Sequence, residues 1–555
     1  MRLVFIFICS ICWCILPAQT VPYNTAPDWI STAGGQYATG LGLADINGDG
    51  YKDLVVANGN DMARQRLSVY YNQGDGTFPL LPDWQSADID YHGHLACGDL
   101  NGNGNIDVVV SVYIGPAGFS SPGKIKIYYN QGNELESMPS FESESFYSFS
   151  CALGDADGDG DLDIAVATGE PYSNILDNGR IFFNVNGTFQ TVADWQSNIT
   201  MGAIDVEFGD FNRDGLMDVI FVTARTPNYI YLADSLGNIS PEPAWQSDEA
   251  LNFLNSVDVG YPGDQSIVVM TENSQLGGSG RVRKYDFSGP IPSGSIASWY
   301  SNPFGYGSGI LLNDVDLDGH LDLIYGGWWL PVKIALGDGT GFELTTSYTS
   351  STSSVVEAIL MADLGREDIT MISETFTIQP QQHLSHVIFM GKQIAEEILS
   401  FKINSEELAF SQYCWMPGKN WISIATPLTA GSQVEVTYNY SPYPDMVITN
   451  WDSNKGNYIF YNTLGGTIGI AEKDDHHHSL TIYPNPAGDA VRISSRQLTG
   501  PVTLDIFNIY GQNIFSYKEN DFTGQLTIDV SNWPDGIYLV KMNQRSKSAT
   551  GTFIK

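Results

Sequence analysis

Basic residues are scarce. Lys and Arg number 26 against 63 Asp and Glu, a formal charge of −37 at pH 7. Such a chain repels nucleic acid and anionic membrane surfaces, so neither is an expected partner. Cysteine is sparse as well: of six, Cys9, Cys12 and Cys14 lie at the extreme N-terminus. The remaining Cys97, Cys151 and Cys414 are too few, and odd in number, for a disulfide framework. For Cys97 and Cys151, which sit on the same kind of strand, two readings stay open: buried small hydrophobes, or one bridge. A transmembrane span is not expected. The apolar run at 3–16 is too short to cross a bilayer. It follows Met1-Arg2 and precedes Pro17-Ala18-Gln19. That is the plan of a secretory signal at 1–18, cleaved after Ala18. Signatures of catalysis are missing: there is no H-E-x-x-H, G-x-S-x-G, Walker loop, dinucleotide fingerprint or Cys–His pair. Active sites built from scattered loop residues remain open.

Aspartate is abundant and ordered. Asp155, Asp157, Asp159, Asp161 and Asp163 alternate through one nine-residue stretch, with Gly160 at its sixth position. Carboxylates at positions 1, 3, 5 and 9, with a carbonyl at position 7, surround one point with the oxygens a hard cation such as Ca²⁺ requires. The stretch is not an EF-hand, because position 12 is Val166 inside a β-branched apolar run that reads as a buried strand. The pattern recurs in Asp45, Asn47, Asp49, Tyr51 and Asp53, and in Asp99, Asn101, Asn103, Asn105 and Asp107. It returns in Asp210, Asn212, Asp214, Leu216 and Asp218, and in Asp314, Asp316, Asp318, His320 and Asp322. The position-7 residues Tyr51, Asn105, Asp161, Leu216 and His320 are expected to ligate through their carbonyls. Three echoes keep strands but lose ligands, at 258–267, 363–370 and 437–445. Spacing of roughly fifty residues marks a repeat architecture.

These loops resemble the FG-GAP/VCBS repeats of the integrin α-subunit propeller family, over residues 25–470. The resemblance implies about five Ca²⁺ ions, each held between two strands of a blade. Each unit reads as a small-residue strand, the acidic loop, a buried strand, a third strand and an aromatic-led fourth, as in Asp83-Trp84-Gln85-Ser86. Four strands per unit arranged radially make an all-β propeller. Counting every echo predicts eight blades, with seven as the alternative if the long last unit is irregular. That unit carries an insertion at 394–415 with some helical character. The repeat-locked Trp84, Trp195, Trp245 and Trp299 are expected to pack between blades.

Non-repeating loops are where function varies. In an up-and-down blade the acidic loops occupy one face and the strand 2–3 loops the other. The second face gathers His92, Tyr306, Trp328 and Trp329, the candidate ligand-binding residues, whose rings can stack or hydrogen-bond. His92 with His94, and His383 with His386, are more simply polar loop residues than metal pairs.

Residues 471–479, with His476-His477-His478, read as a linker. Beyond it stand Tyr483-Pro484-Asn485-Pro486, Leu504-Asp505-Ile506-Phe507-Asn508 and Trp533-Pro534-Asp535-Gly536-Ile537-Tyr538. Alternating apolar residues broken by turns describe a small β-sandwich at 480–555. Those three stretches resemble the type A sorting domain of the type IX secretion system. The resemblance implies a Bacteroidetes-type route through the periplasm, recognition by the secretion machinery and its sorting peptidase, and release or anchoring at the cell surface. The expected function is that of a secreted or cell-surface calcium-binding propeller mediating adhesion or binding of glycan or protein ligands. The alternatives are a polysaccharide lyase or hydrolase, and a purely structural surface protein.

Overall fold

The computed structural model of the chain describes residues 21–32, 34–248, 253–288, 291, 295–365, 369–382, 384–464, 477–483, 490–495, 500–508, 513–522, 525–534, 536–544 and 547–555. The signal segment at 1–18, His383, most of the linker and Pro484-Asn485-Pro486 lie outside these residues. Two compact units divide the chain at Gly466/Thr467.

In the first unit the repeats become antiparallel four-stranded sheets. The first runs Ala38–Ala44, Asp53–Asn58, Ser68–Tyr70, Trp84–Gln85, and four more follow in the same order through Trp299–Tyr300. Second strands such as Asp53–Asn58 and Asp163–Thr168 are buried along their whole length. That is why they read as unbroken apolar runs and not as alternating ones: both sheet faces are covered by neighbours. First strands carry small residues because they converge. A Cβ at Gly40 would lie 2.8 Å from the Leu95 amide nitrogen of the next sheet. First strands of six sets, contributing Leu43, Cys97, Leu153, Phe208, Val259 and Leu312, line one cavity together with Met361 of the strand Ser354–Ala362. Trp84, Trp195 and Trp245 are buried, and Trp195 Nε1 donates to Ile239 O of the adjacent set at 2.9 Å. The tryptophans are packing residues, as their repeat position predicts.

The last repeats depart from expectation. Gly307–Asn313, Asp322–Leu330, Lys333–Ala335 and Tyr348–Thr349 join a single eight-stranded sheet with Ser354–Ala362, Asp445–Asn450, Tyr458–Phe460 and Trp29–Ile30. The echoes at 363–370 and 437–445, expected as separate units, are the two ends of one split loop: Ala362 pairs directly with Asp445. Between them, Thr370–Thr377, Gln433–Tyr440, Ala395–Ile403 and Glu406–Glu407 form one sheet, and Ser385–Phe389, Trp421–Leu428 and Tyr413–Trp415 another. Both sheets feed one core that includes Phe401, Ile422 and Val436. The expected helical character at 394–415 is therefore strand, apart from a single 3₁₀ turn at Phe410–Gln412. The N-terminal Trp29–Ile30 pairs with Tyr458–Phe460, so the two ends of the repeat region share one sheet.

The second unit has a five-stranded sheet and a three-stranded sheet. Their inward residues, Val491, Ile493, Leu504, Ile506 and Val540 among them, make one core.

Candidate functional site

The acidic loops are preorganised by their own backbone. Asp155 Oδ1 accepts from Gly158 N and Asp159 N at 2.8 and 3.0 Å, and its Oδ2 accepts from Gly160 N at 3.0 Å. Gly158 and Gly160 both adopt positive φ (75° and 91°), which a Cβ would penalise. Asp163 ties the loop to the sheet, its two oxygens accepting from Ala156 N and Asn184 N at 2.7 Å each. The same bonds recur elsewhere. Asp45 Oδ2 accepts from Gly50 N, Asp99 from Gly104 N, Asp210 from Gly215 N and Asp314 from Gly319 N. Asp53, Asp107, Asp218 and Asp322 repeat the role of Asp163. Asp445 repeats it too, accepting from Leu364 N and Asn462 N, although the chain between is a folded insertion. Each position-7 residue, Tyr51, Asn105, Asp161, Leu216 and His320, donates its N–H to the position-5 side chain.

Two loops gather three carboxylates around a point: Asp155, Asp157 and Asp159, and Asp314, Asp316 and Asp318. The others place Asn at position 3. Asn47 Nδ2 donates to Asp49 and Asn212 Nδ2 to Asp214. Asp157 Oδ1 and Asp314 Oδ1 are buried without a hydrogen-bond partner. A buried, unpartnered carboxylate oxygen is costly unless a cation meets it. The residues thus fit a hard divalent ion. Electrostatics agree. Burial, then crowding by Asp159 and Asp157, pushes Asp155 up to about 7 against a hydrogen bond from Ser423. Asp157 is pushed up to about 6 by burial and by Asp159. Burial carries Asp53, Asp107 and Asp322 to about 7.

The insertion sits on this loop face. Ser423 Oγ donates to Asp155 Oδ2 at 2.7 Å, and the amides of His386 and Val387 both donate to Gly215 O at 2.8 Å. Lys419 Nζ reaches Glu207 Oε2 at 3.2 Å at the cavity lined by the first strands. Nothing in the sequence reveals these contacts, which join residues far apart in the chain, 268 positions for Ser423 and Asp155.

The strand 2–3 loops leave from the other strand ends and enclose a second cavity of about 400 Å³. Trp328 and Trp329 line it. Tyr306 stacks on Trp328 at 6.2 Å and meets Trp329 edge-on at 5.9 Å. Trp328 is 8% exposed and its Nε1 donates to Glu357 at 3.1 Å, whereas Trp329 is 59% exposed. Trp329 holds φ at 59°, a left-handed conformation a bulky residue rarely adopts. His92 is not part of this group. It is fully buried, its Nδ1 lies 2.9 Å from Asn58 O, and burial lowers its pKa. Its place on the strand Tyr91–Gly98 turns it between sheets. The cavity is also lined by Trp451, Tyr172 and Phe119, from loops expected on this face, and by Asp61, Asn255 and Glu357, which were not anticipated. Trp451 follows the split strand pair, so its partners were hidden by the insertion. Cys97 and Cys151 are both free and buried, which settles them as packing residues. No helix among the described residues is long and apolar enough to cross a membrane.

Residues 25–110 and 172–221 match the FG-GAP-like repeat, and residues 481–555 match the secretion system C-terminal sorting domain. No curated protein matches the chain. Among solved structures, one described as BBS1N in complex with ARL6DN, soaked with mercury, aligns at 13% identity and a TM-score of 0.40, covering 64% of this chain and 93% of that one. The chain carries FG-GAP-like repeats ahead of a C-terminal sorting domain. It is a secreted or cell-surface protein, and the sorting domain implies export by that secretion system.

Proposed function

We propose that this is a calcium-stabilised propeller of seven blades that binds an extracellular ligand on the face opposite its acidic loops. Five separate sheets and the two halves of the eight-stranded sheet supply the blades, with Trp29–Ile30 as the outer strand that closes the ring. Calcium at the Asp155 and Asp314 loops, and at the three Asn-containing loops, neutralises carboxylates that otherwise crowd one another. The observation that carries the ligand reading is the aromatic cavity. It is built from loops that do not repeat, and it presents Trp329 to solvent in a strained backbone conformation. Strain of that kind persists where function requires it. The insertion covers part of the loop face, at the Asp155 and Asp210 loops. Lyase chemistry is disfavoured, because a uronate carboxylate needs a cation beside it and the cavity is lined by Asp61 and Glu357 with no Lys or Arg. After export the sorting domain is removed by its peptidase, leaving the propeller free or anchored.

Arrays of glycans and extracellular proteins, probed with the secreted chain in calcium, test the reading. Trp329→Ala should lose at least ~2 kcal/mol of binding without a change in melting midpoint. If Trp329→Ala binds normally while Asn103→Ala abolishes binding without unfolding, the binding face is the other one.

A further inference from the structure

The cavity contains more chemistry than stacking rings. Its aromatic contacts fall into two groups. One joins Trp328 to Trp451 at 5.7 Å and to Trp329 at 6.2 Å. The other joins Tyr172 to Phe119 at 6.4 Å and to Phe253 at 6.0 Å. Both groups line the same space. Three buried polar atoms there have no hydrogen-bond partner: Asp61 Oδ1, an acceptor, and Trp451 Nε1 and Asn255 Nδ2, both donors. Buried polar groups are ordinarily satisfied, so these donors and this acceptor define what an occupant must offer. The charged residues lining the cavity are Asp61 and Glu357, while Arg225 Nε donates to the lining Pro171 O at 3.1 Å from outside it. Glu357 is 2% exposed at the cavity, and Glu170 accepts from the Tyr113 hydroxyl at 3.2 Å just behind it.

Resting on the opposite-face reading above, we infer that the cavity between Trp328, Trp329, Trp451 and Tyr172 is a subsite for one neutral or N-acetylated sugar ring, with Asp61 and Trp451 as its polar contacts. A pyranose has an apolar C–H face that packs on indole and phenol rings, and hydroxyls that both donate and accept. One hydroxyl donates to Asp61 Oδ1 and another accepts from Trp451 Nε1. An alkylammonium ion would suit the rings and carboxylates but leave the Trp451 N–H unmet. An acidic sugar would place a carboxylate among Asp61, Glu357 and Glu170, with no Lys or Arg among the described lining residues to balance it. A volume of about 400 Å³ falls within the range of small-ligand pockets.

The test is the full secreted chain on a glycan array bearing neutral, N-acetylated and uronate-terminated glycans, with tetramethylammonium as a competitor. The expected result is binding confined to neutral or N-acetylated termini. Affinity should fall at least tenfold in both Trp329→Ala and Asp61→Ala, with unchanged thermal midpoints. Binding only to uronates, or displacement by tetramethylammonium, overturns the sugar assignment. No glycan bound, while a protein ligand is lost with Trp329→Ala, also overturns it but leaves the opposite-face reading standing. A neutral glycan bound equally by wild type and both variants overturns the two together.

Discussion

Two adjacent tryptophans show how much one position decides. Trp328 is buried, stacks on Tyr306 and donates to Glu357. Removing it leaves a cavity and an unpartnered carboxylate, so Trp328→Ala should destabilise by about 3–5 kcal/mol. Trp329 is exposed and held in the left-handed region at φ 59°. Glycine adopts that conformation freely, whereas a side chain pays roughly 1–2 kcal/mol for it. Trp329→Gly should therefore match or exceed wild type in urea unfolding while losing ligand. A destabilised Trp329→Gly would show that the ring is a packing residue after all. The sequence placed both tryptophans near the loop face, and that much was legible. The positive φ of Trp329 was not, nor was the burial of His92, whose place on the strand puts it between sheets. Asp61 carried no signal at all, because its meaning comes from rings contributed by other blades.

At the scale of the element, the backbone of the acidic loop was legible: its glycine, its spacing and the strand after it all stand where the pattern predicts. Its titration follows from its burial. Asp155, Asp53, Asp107 and Asp322 are raised to about 7, above their unfolded values. Between the unfolded and folded pKa the native state holds the extra protons, so stability falls as pH rises through that window. In EDTA the chain should melt several degrees lower at pH 8 than at pH 5. Calcium competes with those protons, so its stabilising effect should grow over the same range. A midpoint in EDTA that rises from pH 5 to pH 8 would contradict the assignment. What the sequence concealed was the split loop. Asp363 and Asp445 look like fragments of two repeats, because the paired strands keep Ala362 beside Asp445 however long the intervening chain. Loop length adds only slowly to the entropy of closure, so a folded domain is tolerated there.

At the scale of the molecule, repetition made the architecture readable and its closure hard to see. Pro27-Asp28-Trp29 repeats the Pro82-Asp83-Trp84 signature of an outer strand, and Asp28 accepts from Tyr461 N as Asp83 accepts from Tyr71 N. Read so, the N-terminal segment completes the last blade instead of preceding the first. Deleting residues 21–32 should open the ring and expose the Tyr458–Phe460 edge. Limited proteolysis should then cut the variant well below the melting midpoint of the intact chain, and equal resistance would count against closure. The central claim is that repeated acidic loops bind calcium to hold this ring together. Isothermal titration of calcium into the EDTA-stripped chain tests it most directly. The account predicts about five sites, the tightest lost in Asp157→Asn, where a buried unpartnered oxygen awaits the ion. Absence of any saturable calcium binding would contradict it.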